Sequence, residues 1–225
     1  MKAVILCGGR GNRLRPLTDE KPKPMVEVNG KPILEHQIEF LKKHGISEIY
    51  LCTGYKHEVI ENYFGDGSKF GVKIFYSKED EPLGTGGAIR QLRDTIKEPF
   101  VLMNGDMITD LDFSEFIRKH LENKTMITTF VYNPTSPWGM IEMSDGLVKG
   151  FVEKPKLSQL INTGIHVMSP EIFELLPEKG SLEVEVLPLL AEKLEIAAFK
   201  HDGFWKAVET MKDLEEMNKV VKELE

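Results

Sequence analysis

Eighteen residues from Cys7 to Pro24 read CGGRGNRLRPLTDEKPKP, and they hold three glycines, three arginines and two lysines directly after the apolar run AVIL. Glycine lets backbone N–H groups approach phosphate oxygens without a Cβ in the way, and successive N–H groups form a concave anion nest. Gly8, Gly9 and Gly11 supply that backbone, and Arg10, Arg13, Arg15, Lys21 and Lys23 supply countercharge. The chemistry this spacing suits is the holding of a small polyanion. Two common nucleotide fingerprints fail: G-x-G-x-x-G breaks where Arg13 and Leu14 stand, and no Walker A run is present.

A loop of this kind needs a buried strand before it, in an open sheet whose ligand crevice lies at the carboxyl ends of the strands. The sequence supplies one. KAVIL reads as a buried strand, and short β-branched runs then alternate with amphipathic segments, the pattern of parallel strands joined by crossover helices. Ile33, Gln37, Phe40, Leu41 and His44 line one side of a helix that stops at Gly45. EIYLCTG, VKIFYS and PFVLMNGD are further strands, KHEVIENYF and TGGAIRQLRD further helices, and DFSEFIRKHLEN a helix capped by Asp112 or Ser114. After residue 124 four strands follow in succession, MITTFVY, GMIEMS, LVKGFVEK and NTGIHVM, placed to extend or cover the sheet, with a hairpin turn at Asp145 and Gly146. Helices near 170–176 and 183–193, strands at IAAFKH and FWKAVE, and a last helix with Leu214, Met217, Val221 and Leu224 on one face complete the chain. That face serves either internal packing or contact with a second copy.

The reading is one α/β domain over residues 1–225, with a Rossmann-like, mixed, mostly parallel central sheet flanked by helices. A formal charge of −7 argues against a nucleic-acid coat or a general membrane-surface binder, which need a large basic field. The first 31 residues nevertheless carry seven basic side chains against three acidic ones, a local cationic site for a small anionic ligand. Cys7 and Cys52 stand alone, without C-x-x-C or zinc spacing, and read as small buried apolar groups in a reducing compartment. MKAVILCGG is too short in apolar residues for a signal-peptide core, and no run approaches the roughly twenty that span a bilayer. The cytoplasm is the expected location.

The stretch GGRGNRLRPLTDEKPKPMVEVNGKPILEHQI resembles the signature of the sugar-1-phosphate nucleotidyltransferases, in which G-x-G-x-R-L-x-P-L-T is followed by P-K-P and G-K-P. PLGTGGAI, VLMNGD, FVEKP and NTGIHVM follow in that family's order, so the resemblance covers essentially the whole chain. It implies attack of a sugar-1-phosphate oxygen on the α-phosphate of a nucleoside triphosphate, with release of pyrophosphate and with Mg²⁺ as cofactor. Such transfer is mostly positioning and charge neutralisation. By the resemblance Arg13 holds the leaving pyrophosphate, Lys23 steadies charge at the α-phosphorus, and Asp106 holds the metal. It also implies that Leu6, Gly8, Gly9, Gly11, Glu81, Gly84, Thr85 and Gly86 receive the nucleotide in a half of about residues 1–110. Asn104, Gly139, Glu153, Lys154, Asn162 and Thr163 would meet the sugar phosphate, in a half of about residues 111–225.

The sequence departs from the family at its second metal carboxylate. Many members read W-x-D-x-G-T, whereas GFWKAVET puts Ala207 at the acidic position and Glu209 two residues on. On an extended strand residues 207 and 209 face the same way, so Glu209 would replace that ligand; a role in capping the last helix is the alternative. For the base, thymidylyl and uridylyl enzymes carry a glutamine where this chain reads Glu79, Asp80, Glu81. Carboxylates accept the N1–H and N2–H₂ donors of guanine and match uracil poorly. EPLGTGGAI resembles the mannose- and heptose-1-phosphate guanylyltransferases, while the GFW ending resembles the glucose-1-phosphate cytidylyltransferases. Guanylyl transfer is the expectation, with cytidylyl or uridylyl transfer as alternatives. A regulatory subunit that binds nucleotide sugar without chemistry, argued by Ala207, and a Rossmann dehydrogenase are the other readings.

Overall fold

The computed structural model describes residues 1–224; Glu225 and the side chains of Glu223 and Leu224 lie outside the described part. In chain order the elements are β1 (Lys2–Cys7), α1 (Leu17–Glu20), β2 (Glu27–Val28), β3 (Lys31–Pro32), α2 (Ile33–Lys43), β4 (Glu48–Thr53) and α3 (His57–Phe64). Then come β5 (Lys73–Lys78), α4 (Gly84–Arg90), β6 (Phe100–Asn104), β7 (Met107–Thr109), α5 (Phe113–Asn123) and β8 (Ile127–Tyr132). The chain continues through β9 (Met140–Ser144), β10 (Leu147–Val152), β11 (Ile161–Met168), α6 (Leu187–Glu192), β12 (Ile196–Lys200), β13 (Trp205–Ala207) and α7 (Met211–Leu224).

Seven strands form the central sheet in the order β12-β8-β11-β6-β1-β4-β5. The β1, β4, β5 and β6 pairings are parallel, as is β8 with β12, and only β11 runs antiparallel to both its neighbours. The mixed, mostly parallel sheet expected from the alternation is present. From β1 the chain moves outward through β4 and β5, then returns to place β6 on the other side of β1. That reversal opens a crevice at the carboxyl ends of β1 and β6.

Side-chain alternation along β1 divides the core. Ala3, Ile5 and Cys7 face α2, α3 and α5, packing with Leu34, Ile38, Phe64 and Phe116. Val4 faces the opposite layer with Cys52, Ile89, Phe100, Ile172 and Leu190. A third cluster joins Leu14, Val26, Val28 and Ile33 to Val208, Leu214, Met217 and Val221. The apolar face of α7 is thus covered internally, by the segment that carries the basic loop. Asp112 caps α5, accepting from the N–H groups of Ser114 and Glu115.

Three expectations are modified. β9 and β10 do not join the sheet: they pair with each other as a separate two-stranded hairpin, while β11 lies between β6 and β8. The FWKAVE strand stops at Ala207, paired with β7, so Glu209 lies beyond it. Residues 170–174 form a 3-10 helix shorter than the expected helical segment, with Pro170 in its first turn, where the missing N–H is no loss. Among the described residues no helix is long and apolar enough to cross a membrane.

Candidate active site

β1 ends at Cys7 and releases the chain into the glycine-rich loop at the mouth of the crevice. Gly11 sits at a φ of +62°, and a Cβ there would stand 2.9 Å from the Lys23 Cβ. Only glycine lets the two arms of the loop approach in this way. The Gly11 carbonyl accepts from the Leu14 N–H at 2.9 Å and from the Thr18 hydroxyl at 2.9 Å, which folds the arms back on themselves. Buried Leu14 and Val26 then pin the loop against Val208 and Met217.

Of the five basic side chains in this loop, three are engaged away from the crevice. The Arg10 guanidinium lies over the Tyr55 ring, Arg15 pairs with Asp19, and Lys21 pairs with Glu27. Arg13 and Lys23 converge instead on two carboxylates. Lys23 Nζ donates to Asp106 Oδ2 at 2.5 Å and to Glu209 Oε1 at 2.9 Å, and Arg13 Nη2 lies 2.8 Å from Glu209 Oε2. Lys23 is mostly buried, whereas Arg13 reaches in from solvent with 76% of its side chain exposed. All four residues singled out for phosphate and metal chemistry therefore meet in one cluster.

Asp106 and Glu209 arrive by different backbone routes. Asp106 occupies the turn between β6 and β7, where the Gly105 N–H donates to the Leu6 carbonyl at 3.0 Å. Just past β13, the Val208 N–H donates to the Asp106 carbonyl at 2.8 Å, tying the two carboxylate-bearing segments together. The Glu209 N–H is held by Asp213 Oδ2 at 3.2 Å, at the start of α7. A Mg²⁺ ion takes one or two carboxylates plus waters and phosphate oxygens. The observed donor set fits that demand: two carboxylates already hold one cationic group between them. Among the described residues there is no cluster of three or more His, Cys, Asp or Glu that would form an all-protein cage, so substrate phosphates and water would complete the coordination.

A cavity of about 350 Å³ opens beside this cluster, and Leu6, Gly8, Gly9, Gly84, Thr85, Asn104 and Asp106 are among its walls. Gly84, at a φ of +77°, leaves no room for a Cβ against the Gly180 carbonyl, and the Gly86 N–H donates to that same carbonyl at 2.9 Å. Thr85 donates its hydroxyl to Glu183 at 2.6 Å and accepts from the Leu182 N–H. These residues seat α4 against residues 177–183, and that packing holds Gly84 and Thr85 at the cavity wall.

The acidic stretch divides in a way the sequence did not specify. Glu81 is exposed and paired with Lys179 at 3.0 Å, away from the cavity lining. Glu79 lines the cavity: its Oε2 accepts from the Leu83 N–H at 3.1 Å, and its Oε1 lies over Gly8. Burial pushes the Glu79 carboxyl pKa up, against the opposing pull of that hydrogen bond. The signal was available, since Glu79 directly follows β5 and its N–H continues the ladder to the Thr53 carbonyl. A residue at a strand's carboxyl end faces the crevice, whereas one two positions further has entered the loop.

The sugar-side residues form a second group. Asn104 lies on the cavity wall, its amide packed against Gly164 in the bulge of β11, where a φ of +76° admits no Cβ. Asn162 Oδ1 accepts from the Gly164 N–H at 3.0 Å, and the buried Thr163 hydroxyl donates to the Phe130 carbonyl at 2.8 Å. Gly139 leaves the ring of Phe151 room beside Glu153, and Glu153 and Lys154 are exposed at the base of the β9–β10 hairpin. Gly139, Glu153, Lys154, Asn162 and Thr163 do not line the cavity itself.

Known proteins share this architecture. The mannose-1-phosphate guanyltransferase of Saccharomyces cerevisiae is 38% identical over 226 residues, 95% of this chain and 62% of the yeast protein. HddC from Yersinia pseudotuberculosis, solved complexed with GMP-PN, matches with a TM-score of 0.79 and 29% identity over 98% of this chain and 99% of its own. A chain from Bacillus anthracis solved with sucrose has a TM-score of 0.82 over 100% of this chain and 96% of its own, at 23% identity, and shares the fold. The protein spans 62% of the length of its yeast relative. The model of the nucleotidyl transferase family matches residues 2–223, and the chain belongs to that family.

Proposed function

We propose that the protein transfers a guanylyl group from GTP to a sugar 1-phosphate of the mannose or heptose type, releasing pyrophosphate and a GDP-sugar. The observation that carries this reading is the convergence of Lys23 and Arg13 on Asp106 and Glu209 at the mouth of the cavity. In the reaction an oxygen of the sugar phosphate forms a bond to the α-phosphorus as the bond to the β-phosphate breaks. Lys23, released toward the phosphates, neutralises charge at the α-phosphorus, and Arg13 receives the leaving pyrophosphate. Asp106 and Glu209 would hold the Mg²⁺, which when bound would supply further charge neutralisation at the phosphate oxygens. The Gly8 and Gly9 backbone borders the triphosphate.

Glu79 is the residue we assign to the base. One of its oxygens is oriented by the Leu83 N–H, leaving the other available to guanine N1–H and N2–H. The guanylyl reading is supported by the names of the yeast relative and by the GMP-PN complex of HddC. The nucleotide would occupy the half up to about residue 110, and the sugar phosphate would lie between Asn104 and the group around Glu153, Lys154 and Asn162. Incubation with each nucleoside triphosphate, mannose 1-phosphate, a heptose 1-phosphate, glucose 1-phosphate and Mg²⁺, with pyrophosphate as the readout, tests this. Turnover with GTP and a mannose- or heptose-type phosphate supports it. Turnover with CTP and glucose 1-phosphate alone refutes the guanine assignment, and binding of a nucleotide sugar with no turnover refutes catalysis.

A further inference from the structure

We propose that Gln37 is a positioning residue for Asp106, holding the turn that presents this carboxylate to the metal and to Lys23. The inference rests on the nucleotidyl-transfer reading above. Gln37 projects from the apolar face of α2, beside Leu34, Ile38 and Leu41, and is only 2% exposed. An amide in such surroundings is costly unless its polar atoms are paired. Its Nε2 is paired twice, donating to the Asn104 carbonyl at 2.8 Å and to the Met107 carbonyl at 2.9 Å. Its Oε1 has no partner among the described residues.

That imbalance points to a purpose for the two N–H groups. For packing alone, an apolar side chain of the same length would fill this space without stranding an acceptor. The amide instead bridges the last residue of β6 and the first of β7, the two ends of the Gly105–Asp106 turn. The turn has little slack elsewhere. A Cβ on Gly105 would stand 2.8 Å from the Leu6 carbonyl oxygen, and Val208 holds the Asp106 carbonyl. Gln37 removes the remaining freedom, because one planar amide sets the separation of both flanking carbonyls. Without it the turn can tilt about its Leu6 and Val208 attachments and carry the Asp106 carboxylate away from Glu209.

The test is Gln37→Met, equal in length and lacking donors, compared with Gln37→His, which keeps one donor, and Ile38→Val, a neighbouring core change that keeps the amide. Electron paramagnetic resonance measures Mn²⁺ binding in the presence of a non-hydrolysable GTP analogue, alongside kcat, KM for the sugar phosphate and the melting midpoint. Outer partners of metal ligands are worth about 10–100-fold in affinity or activity. We expect Gln37→Met to weaken Mn²⁺ binding about tenfold and lower kcat about 10–100-fold, with KM for the sugar phosphate unchanged. Gln37→His is expected to fall between, and it carries the comparison if the Met variant fails to fold. Wild-type Mn²⁺ affinity and kcat in a folded Gln37→Met protein, or equal losses in Ile38→Val, would overturn the proposal. A wild-type protein that binds no Mn²⁺ with the analogue and shows no turnover refutes the transfer reading and this inference with it.

Discussion

Replacement of Glu209 by glutamine separates catalysis from stability. The carboxylate accepts from Lys23 at 2.9 Å and forms an ion pair with Arg13 at 2.8 Å, with 35% of its side chain exposed. Exposed ion pairs contribute about 0–1 kcal/mol, and Arg13 is the more exposed of the two partners. Lys23 keeps Asp106 after the change. The expected loss of stability is therefore about 1 kcal/mol, a shift of roughly 2–4 °C in melting midpoint for a chain of this size. Catalysis depends on charge placed where the phosphates change, and removal of one such group costs about 10²–10³-fold in kcat, roughly 3–4 kcal/mol. Pyrophosphate release at saturating GTP, mannose 1-phosphate and Mg²⁺ measures the first effect, and thermal melting measures the second. A kcat within about threefold of wild type would remove Glu209 from the mechanism and leave it as the residue that leads into α7. A melting shift far above the predicted range would mean that the charge cluster is chiefly structural.

Lys23→Ala leaves Asp106 and Glu209 facing one another without the ammonium between them; nucleotide-free Mn²⁺ binding, read by paramagnetic resonance, is expected to tighten while kcat falls by about 10² or more. Unchanged Mn²⁺ binding would show that Lys23 does not compete for the metal seat. Glu79→Gln gives up a charge-assisted acceptor worth about 1.5–3 kcal/mol, so the ratio of kcat/KM for GTP over CTP is expected to drop at least about tenfold, and an unchanged ratio would take base selection elsewhere. His166 is buried in β11, and burial pushes its pKa from 6.5 down to about 4. The unfolded chain binds the extra proton between those values, so this contribution is full above pH 6.5 and is lost as pH falls toward 4, on the order of 3 kcal/mol in all. Urea midpoints measured from pH 7 to pH 4 should fall more steeply for wild type than for His166→Gln, and parallel curves would refute the assignment.

The β-α order from β1 to α5 was legible because period and length differ sharply between runs such as KAVIL and the stripe of Ile33, Gln37, Phe40 and Leu41. Membership of a sheet was less so. The MIEMS and LVKGFV segments read correctly as strands, but nothing local in them says that β11 has no free edge to offer. Arg13, Lys23 and Asp106 were legible from a long motif, and the structure brings them together. Glu209 also meets them, although not from the strand that motivated the choice: β13 ends first, and hydrogen bonding to Asp213 sets its backbone. Glu79 and Glu81 differ only by distance from the end of β5, a boundary that composition does not mark. Gln37 was visible as a polar residue in an apolar stripe, but its partners lie 67 and 70 residues away and only the fold reveals them.

The third apolar cluster bears on how the protein is made. Lys23 and Glu209 are separated by 186 residues, and the cluster that holds their segments together draws on Leu14 near one end and Val221 near the other. Lys23 is synthesised 186 residues before Glu209, so the basic loop lacks that carboxylate partner until the α7 segment follows and docks. Contacts of such long separation close late. The charge cluster is therefore complete only when the segment from Val208 to Val221 has docked on the segment from Leu14 to Ile33.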